Sequence, residues 1–149
     1  MPSLKEQLAT SDKRAQVIQD ACRVLDEEVA DKGGITGLAI KGGYKLVQGI
    51  RPGFVRDVVD HLLDEFFDAM DPIYQEARAK GRPAGLYLNE NKGRVAEGLL
   101  GVTDRRAAES TNNVLKKAYE KLRPMAKSQV EAAIPRLAVL LEKHAAPTQ

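Results

Sequence analysis

The sequence predicts an all-α fold, a single-domain bundle of about five or six helices. Three observations predict it. Apolar residues recur at three- and four-residue spacing through most of the 149 positions. Stretches of alternating polar and apolar residues are poor, and no three segments read as strands. The breaks between periodic segments are short and rich in Gly, Pro, Ser and Asn, which favours antiparallel neighbours. A charged fraction of 30% suits helices with wet outer faces.

The elements follow in order. Leu4 to Leu8 reads as a short turn, and residues 1–11 as a frayed start. Asp12 to Lys32 reads as a helix with Val17, Ile18, Ala21, Cys22, Leu25 and Val29 on one stripe, closed by Gly33 as a left-handed cap. Gly34 to Ile50, GITGLAIKGGYKLVQGI, is the most unusual stretch. It holds five glycines, and Lys41 and Lys45 are its only charges. Each glycine costs a helix interior about 1 kcal/mol relative to alanine, so close approach by another group is expected there. Gly42-Gly43 also fits a hairpin turn, but an isolated hairpin is marginal in water. The helix is the preferred reading, with Lys41, Lys45 and Gln48 on one narrow polar stripe and the rest nearly surrounded. This glycine-rich apolar helix is expected at the centre of the bundle.

Arg51-Pro52-Gly53 reads as a turn. Phe54 to Lys80 is the clearest amphipathic helix, with Val55, Val58, Val59, Leu62, Leu63, Phe66, Phe67, Met70, Ile73 and Tyr74 on its apolar face. Pro72 predicts a kink, or a restart capped by Asp71. Gly81 to Gly85 ends the element, and Leu86 to Asn91 reads as a turn or loop. Lys92 to Ala108 is helical through Val95, Leu99, Leu100 and Val102. After a break at Glu109 to Asn113, one helix carries Val114 to Leu122, and a last one starts at Pro124 and bends at Pro135. Residues 146–149 are expected to fray.

Chemistry is sparse. Asp57, Asp60, His61, Asp64, Glu65, Asp68 and Asp71 lie three or four apart on the long helix. Di-iron bundles need Glu-x-x-His pairs on two inward-facing helices, the chain has no Glu-x-x-His, and these acids fall opposite the apolar face, so this row reads as a solvated face. The two histidines, His61 and His144, are far apart, and the four serines lack a nucleophile-elbow context. Gly37 to Tyr44 has a phosphate-loop glycine spacing without the Gly-Lys-Ser/Thr ending. Cys22, the only cysteine, sits in an apolar stripe and reads as a core residue. No catalytic, cofactor or metal residues are assigned, and the chain reads as a non-enzyme. Charge is uneven despite a net +2. Residues 54–73 hold six acids against Arg56, for a net −5. Residues 105–127 hold seven bases and two acids, for +5. A basic segment can bind nucleic acid by counterion release, yet no nucleic-acid motif accompanies it.

Three segments, residues 27–55 (EEVADKGGITGLAIKGGYKLVQGIRPGFV), 99–110 (LLGVTDRRAAES) and 116–145, together resemble a bacterial family of small, roughly 150-residue, predominantly helical proteins catalogued as a domain of unknown function. The resemblance implies the helical single domain and transfers no functional residue.

The polar N-terminus lacks a signal-peptide core and no segment has the apolar length of a membrane span, so a cytoplasmic protein is expected. The leading expectation is a non-catalytic interaction or assembly module that self-associates as a homodimer or binds another protein. The alternative is reversible binding of lipid, a membrane surface or an apolar ligand through residues 34–53, where Lys41, Lys45 and Arg51 flank an apolar body. Nucleic-acid binding through residues 105–127 ranks last. The candidate interface residues are Gly42, Gly43, Tyr44, Lys41, Lys45 and Arg51, with Gly42 assigned to the packed face beside Ile35, Leu38 and Leu46.

Overall fold

The structure, a computed structural model, describes residues 2–145, all helices and turns. Among the described residues seven helices follow one another: α1 (Leu4–Leu8), α2 (Arg14–Asp31), α3 (Gly34–Gln48), α4 (Phe54–Ala79), α5 (Ala84–Glu90), α6 (Lys92–Glu109) and α7 (Asn113–His144). The two long helices, α4 and α7, both pack against α2, α3, α5 and α6, while α1 lies on α4. The all-α bundle is therefore the fold, with no strand among the described residues.

α4 supplies the centre of the core. Leu63, Phe67, Met70, Ile73, Tyr74 and Ala77 follow the three-and-four spacing and are all buried. They meet Val17 and Ile18 of α2, Tyr87 and Leu88 of α5, Val95 of α6, and Ile134, Leu140 and Leu141 of α7 in one cluster. Phe66 is only half-buried, at the edge of the face expected to hold it.

Several boundaries differ from the expected ones. The N-terminus does not fray from Leu4 onward. Ser3 and Glu6 form a reciprocal capping box, Leu4 and Leu8 are fully buried, and the Leu4 amide donates to Asp71 Oδ1 at 2.9 Å. The expected fraying of 146–149 lies outside the described residues. The left-handed glycine after α2 is Gly34 (φ 67°), whereas Gly33 is extended. Residues 86–91, expected as a loop, belong mostly to α5. Ala84, Tyr87 and Leu88 give it a buried face at helical spacing too short to register as a period.

Both long helices run through their prolines. Pro72 neither ends α4 nor restarts it, and α7 continues past Pro124 and Pro135 as one 32-residue helix instead of two. All three prolines are exposed. Each frees the carbonyl four residues earlier, on the same outer face, where water can hydrate it.

The largest correction concerns α3. It is a helix, but not a central one. Its buried residues are two glycines, Gly37 and Gly43, and none of its side chains belongs to the core cluster. It packs on α7, α2 and α4 at the edge of the bundle.

Candidate binding face on α3

Gly37 and Gly43 point inward on α3, with half-buried Ile40, Tyr44 and Val47 on the same side, whereas Ile35, Leu38 and Leu46 point outward. A methyl on Gly37 would lie 2.6 Å from the carbonyl carbon of Lys32, so main chain runs directly over this position. A methyl on Gly43 would lie 2.8 Å from Leu122 Cδ1 of α7. A methyl on Gly42 would meet nothing within 4 Å. Gly42 is therefore on the outer face, and its expected role as the packed glycine belongs to Gly43. Ile35, Leu38 and Leu46, assigned with it to the packed side, are 88%, 72% and 60% exposed. At 100° per residue these three share an arc of about 80° with Gly42 and Gly49. The pattern misleads because close backbone approach selects the smallest residues, whereas amphipathicity rules look for the largest.

The six candidate residues divide. Lys41, Gly42 and Lys45 are exposed, and the lysines run along one edge of the apolar strip. Gly43 and Tyr44 face inward. Tyr44 is half-buried and its hydroxyl donates to Asp26 Oδ1 of α2 at 2.5 Å. Burial, reinforced by that carboxylate, pushes its phenol pKa up. Arg51 leaves the strip at the end of α3. Its guanidinium lies 2.5 Å from Asp57 Oδ2 and 5.3 Å from the Phe54 ring centroid.

Sequence reasoning missed the other wall. Gly42, Lys45, Leu46, Gly49 and Ile50 face Asn112 and Val114 across an open groove of about 640 Å³. Asn112 caps α7, its side-chain oxygen accepting from the Leu115 amide at 3.0 Å. Val114 is 47% exposed. Lys117 and Lys121 follow it by three and seven residues, on the same stripe of α7. The one available signal was Val114 as an apolar residue beside a basic cluster.

Most charges elsewhere are engaged. In the acidic row of α4, Asp60 and Asp64 receive Arg14, Glu65 receives Arg106 in a two-pronged pair, and Asp68 lies 4.0 Å from Lys5. The face expected to meet water thus also binds neighbouring helices. Within the basic 105–127 segment, Arg106, Arg123 and Lys127 are taken by Glu65, Asp104 and Glu97. Among the described residues, Lys41, Lys45, Lys116, Lys117 and Lys121 make no ion pair. No acid occurs on α3.

Three polar clusters join helices. Buried Asp20 meets His144 Nε2 at 2.7 Å and Lys143 Nζ at 2.9 Å, which hold its carboxyl below the usual range. Arg94 pairs with both oxygens of Glu76, and Tyr87 donates to it at 2.8 Å, lowering its pKa to about 2. Asp104 is held low by Arg123 and by the Tyr119 hydroxyl. Cys22 is half-buried against the core, and burial raises its thiol pKa. Among the described residues, no group of three or more His, Cys, Asp or Glu could hold a metal, and no helix is long and apolar enough to cross a membrane.

The sequence model of a family of unknown function, DUF6918, matches residues 4–145. The chain belongs to that family. The match covers all seven helices, so the α3 strip and its α7 border are part of the DUF6918 domain itself. No curated protein and no solved structure matches the chain.

Proposed function

We propose that this DUF6918 protein is a non-catalytic interaction module whose working surface is the outer face of α3. One observation carries the reading: Ile35, Leu38 and Leu46 stand exposed on one stripe, whose Leu46 end faces Val114 across the groove. The other exposed large hydrophobics, Leu25, Leu86 and Val139, lie on α2, α5 and the far half of α7. Single exposed apolar residues are ordinary, whereas a contiguous strip marks a contact surface. Covering each side chain of this size contributes about 1.5–3 kcal/mol at most, enough in combination for reversible docking. The clustered ionisable groups support the same reading, since Asp20, Glu76 and Asp104 are each bound by partners that tie helices together.

The test does not depend on what the face binds. In an unfractionated lysate of the native host, the wild-type protein should migrate with larger material, either a soluble assembly or the membrane fraction. Leu38→Glu/Leu46→Glu should migrate as a free 16.3 kDa chain with an unchanged melting temperature. Wild type migrating as a free monomer, or a variant indistinguishable from it, would refute the docking reading.

A further inference from the structure

We infer that the occupant of the α3 face is the surface of an anionic lipid bilayer. This rests on the reading of α3 as the working surface and names its partner. The argument is charge complementarity. Lys41 and Lys45 edge the apolar strip on one side, and Val114 of α7 borders the groove on the other, with exposed Lys117 and Lys121 at helical spacing further along its stripe. Among the described residues, none of these four lysines has a carboxylate partner. α3 contributes no acid that could neutralise them.

A second copy of the chain fits this surface poorly. In an antiparallel twofold pairing of α3, the lysine edge of one copy lies along the lysine edge of its mate. In a parallel pairing it meets the mate's α7 border, which is also basic. Like charges brought together at an interface cost affinity, and the strip itself offers nothing to offset them. An anionic bilayer answers both features at once. Ile35, Leu38 and Leu46 enter the boundary between headgroups and acyl chains, and the flanking lysines stay at the phosphate level on their long stems. Gly42 keeps the middle of the strip low, so that headgroups can approach the helix backbone between Leu38 and Leu46.

The inference is tested with the purified full chain and two vesicle preparations, phosphatidylcholine alone and phosphatidylcholine mixed with phosphatidylglycerol. Co-sedimentation is expected with the mixed vesicles only, and it should weaken as salt rises. A basic residue near an anionic leaflet contributes about fivefold in binding, so Lys41→Gln/Lys45→Gln should lose about thirtyfold. Both are exposed and leave the apolar strip intact, so the fold is not at risk. Leu38→Glu/Leu46→Glu should abolish binding. Val139→Glu should not change it, since it removes an exposed apolar residue about 37 Å along α7 from Val114. Equal binding to neutral vesicles, or no binding to either, overturns the lipid assignment. A dimer in light scattering that Leu38→Glu/Leu46→Glu dissociates would overturn it in favour of a second copy, with the docking reading standing. Absence of vesicle binding together with a free monomer in the lysate would remove both.

Discussion

A methyl group added at Gly37 meets main chain, one at Gly43 meets the end of a leucine, and one at Gly42 meets open space. The three alanine variants should therefore rank. Gly37→Ala cannot be accommodated by a side-chain rotation and should lose about 1–3 kcal/mol. Gly43→Ala requires only that Leu122 turn aside, and that cost is offset by the gain in helix propensity, so its melt should shift little. Gly42→Ala should gain about 0.4–1 kcal/mol through propensity and a less free unfolded chain. Thermal melts of the three variants check the order, and a stable Gly37→Ala would show that α3 has been placed wrongly over Lys32. At this scale the sequence singled out the right stretch of glycines and the wrong faces. Lys41 and Lys45 were legible as the edge of a strip. The inward face was not, because its two closest contacts are made at Gly37 and Gly43, which carry no side chain.

Asp20 is one of the carboxylates that make the stability of the fold depend on pH. His144 first, then Lys143, holds its carboxyl below the ordinary 3.8. A carboxylate whose pKa is lower folded than unfolded stabilises the native state above the unfolded value. That contribution disappears as pH falls from 3.8 through the lower, folded value. Asp20→Asn should destabilise the protein by about 2 kcal/mol at neutral pH, the order expected for hydrogen bonds to a charged group. Its denaturation midpoint should also be flatter than wild type between pH 4 and the acid limb. Parallel curves for the two proteins would show that Asp20 is not the group titrating there. The pairing joins α2 to the end of α7 across 124 residues, a separation that no local spacing rule can reveal.

At the scale of the element, α4 tests how finely periodicity assigns a face. Its stripe predicts both Leu63 and Phe66 as core residues, yet Leu63 is buried and Phe66 is half-exposed. Leu63→Ala should cost about 2–5 kcal/mol. Phe66→Ala should cost less despite removing more atoms, because part of its surface is already wet. Urea melts giving the reverse order would mean that the helix is rotated from the orientation described. Long periodic elements were legible: α2, α4 and α6 begin and end within two residues of their expected bounds. The misreadings came from short or interrupted elements. α5 spans seven residues, less than the window over which a period can be counted. α7 was divided at Pro124 because proline rules describe an isolated helix. An outward-facing proline on a helix packed against four others does not end it.

For the whole molecule, the bundle was legible from periodicity and short links, but the place of α3 within it was not. An apolar, nearly uncharged helix is ordinarily the one that a bundle surrounds. Here α4 fills that role, and α3 remains on the outside with Ile35, Leu38 and Leu46 turned away from the core. Membership of DUF6918, matched over residues 4–145, assigns no chemistry to the chain. The lysate and vesicle experiments are accordingly aimed at α3 and its border instead of at any of the closed polar clusters.

The cluster at Asp20 has a topological consequence. Lys13, just after α1, donates to the backbone carbonyl of His144 at 2.9 Å, so two points 131 residues apart in the chain touch. The polypeptide is drawn into a closed circuit, with α1 as a short spur that lies back on α4. On such a circuit the starting point is arbitrary. A chain opened at the exposed Gly81 turn and joined across the meeting of Lys13 with His144 would trace α2 to α7 in the same arrangement, without α1 and the Leu4 and Leu8 it buries.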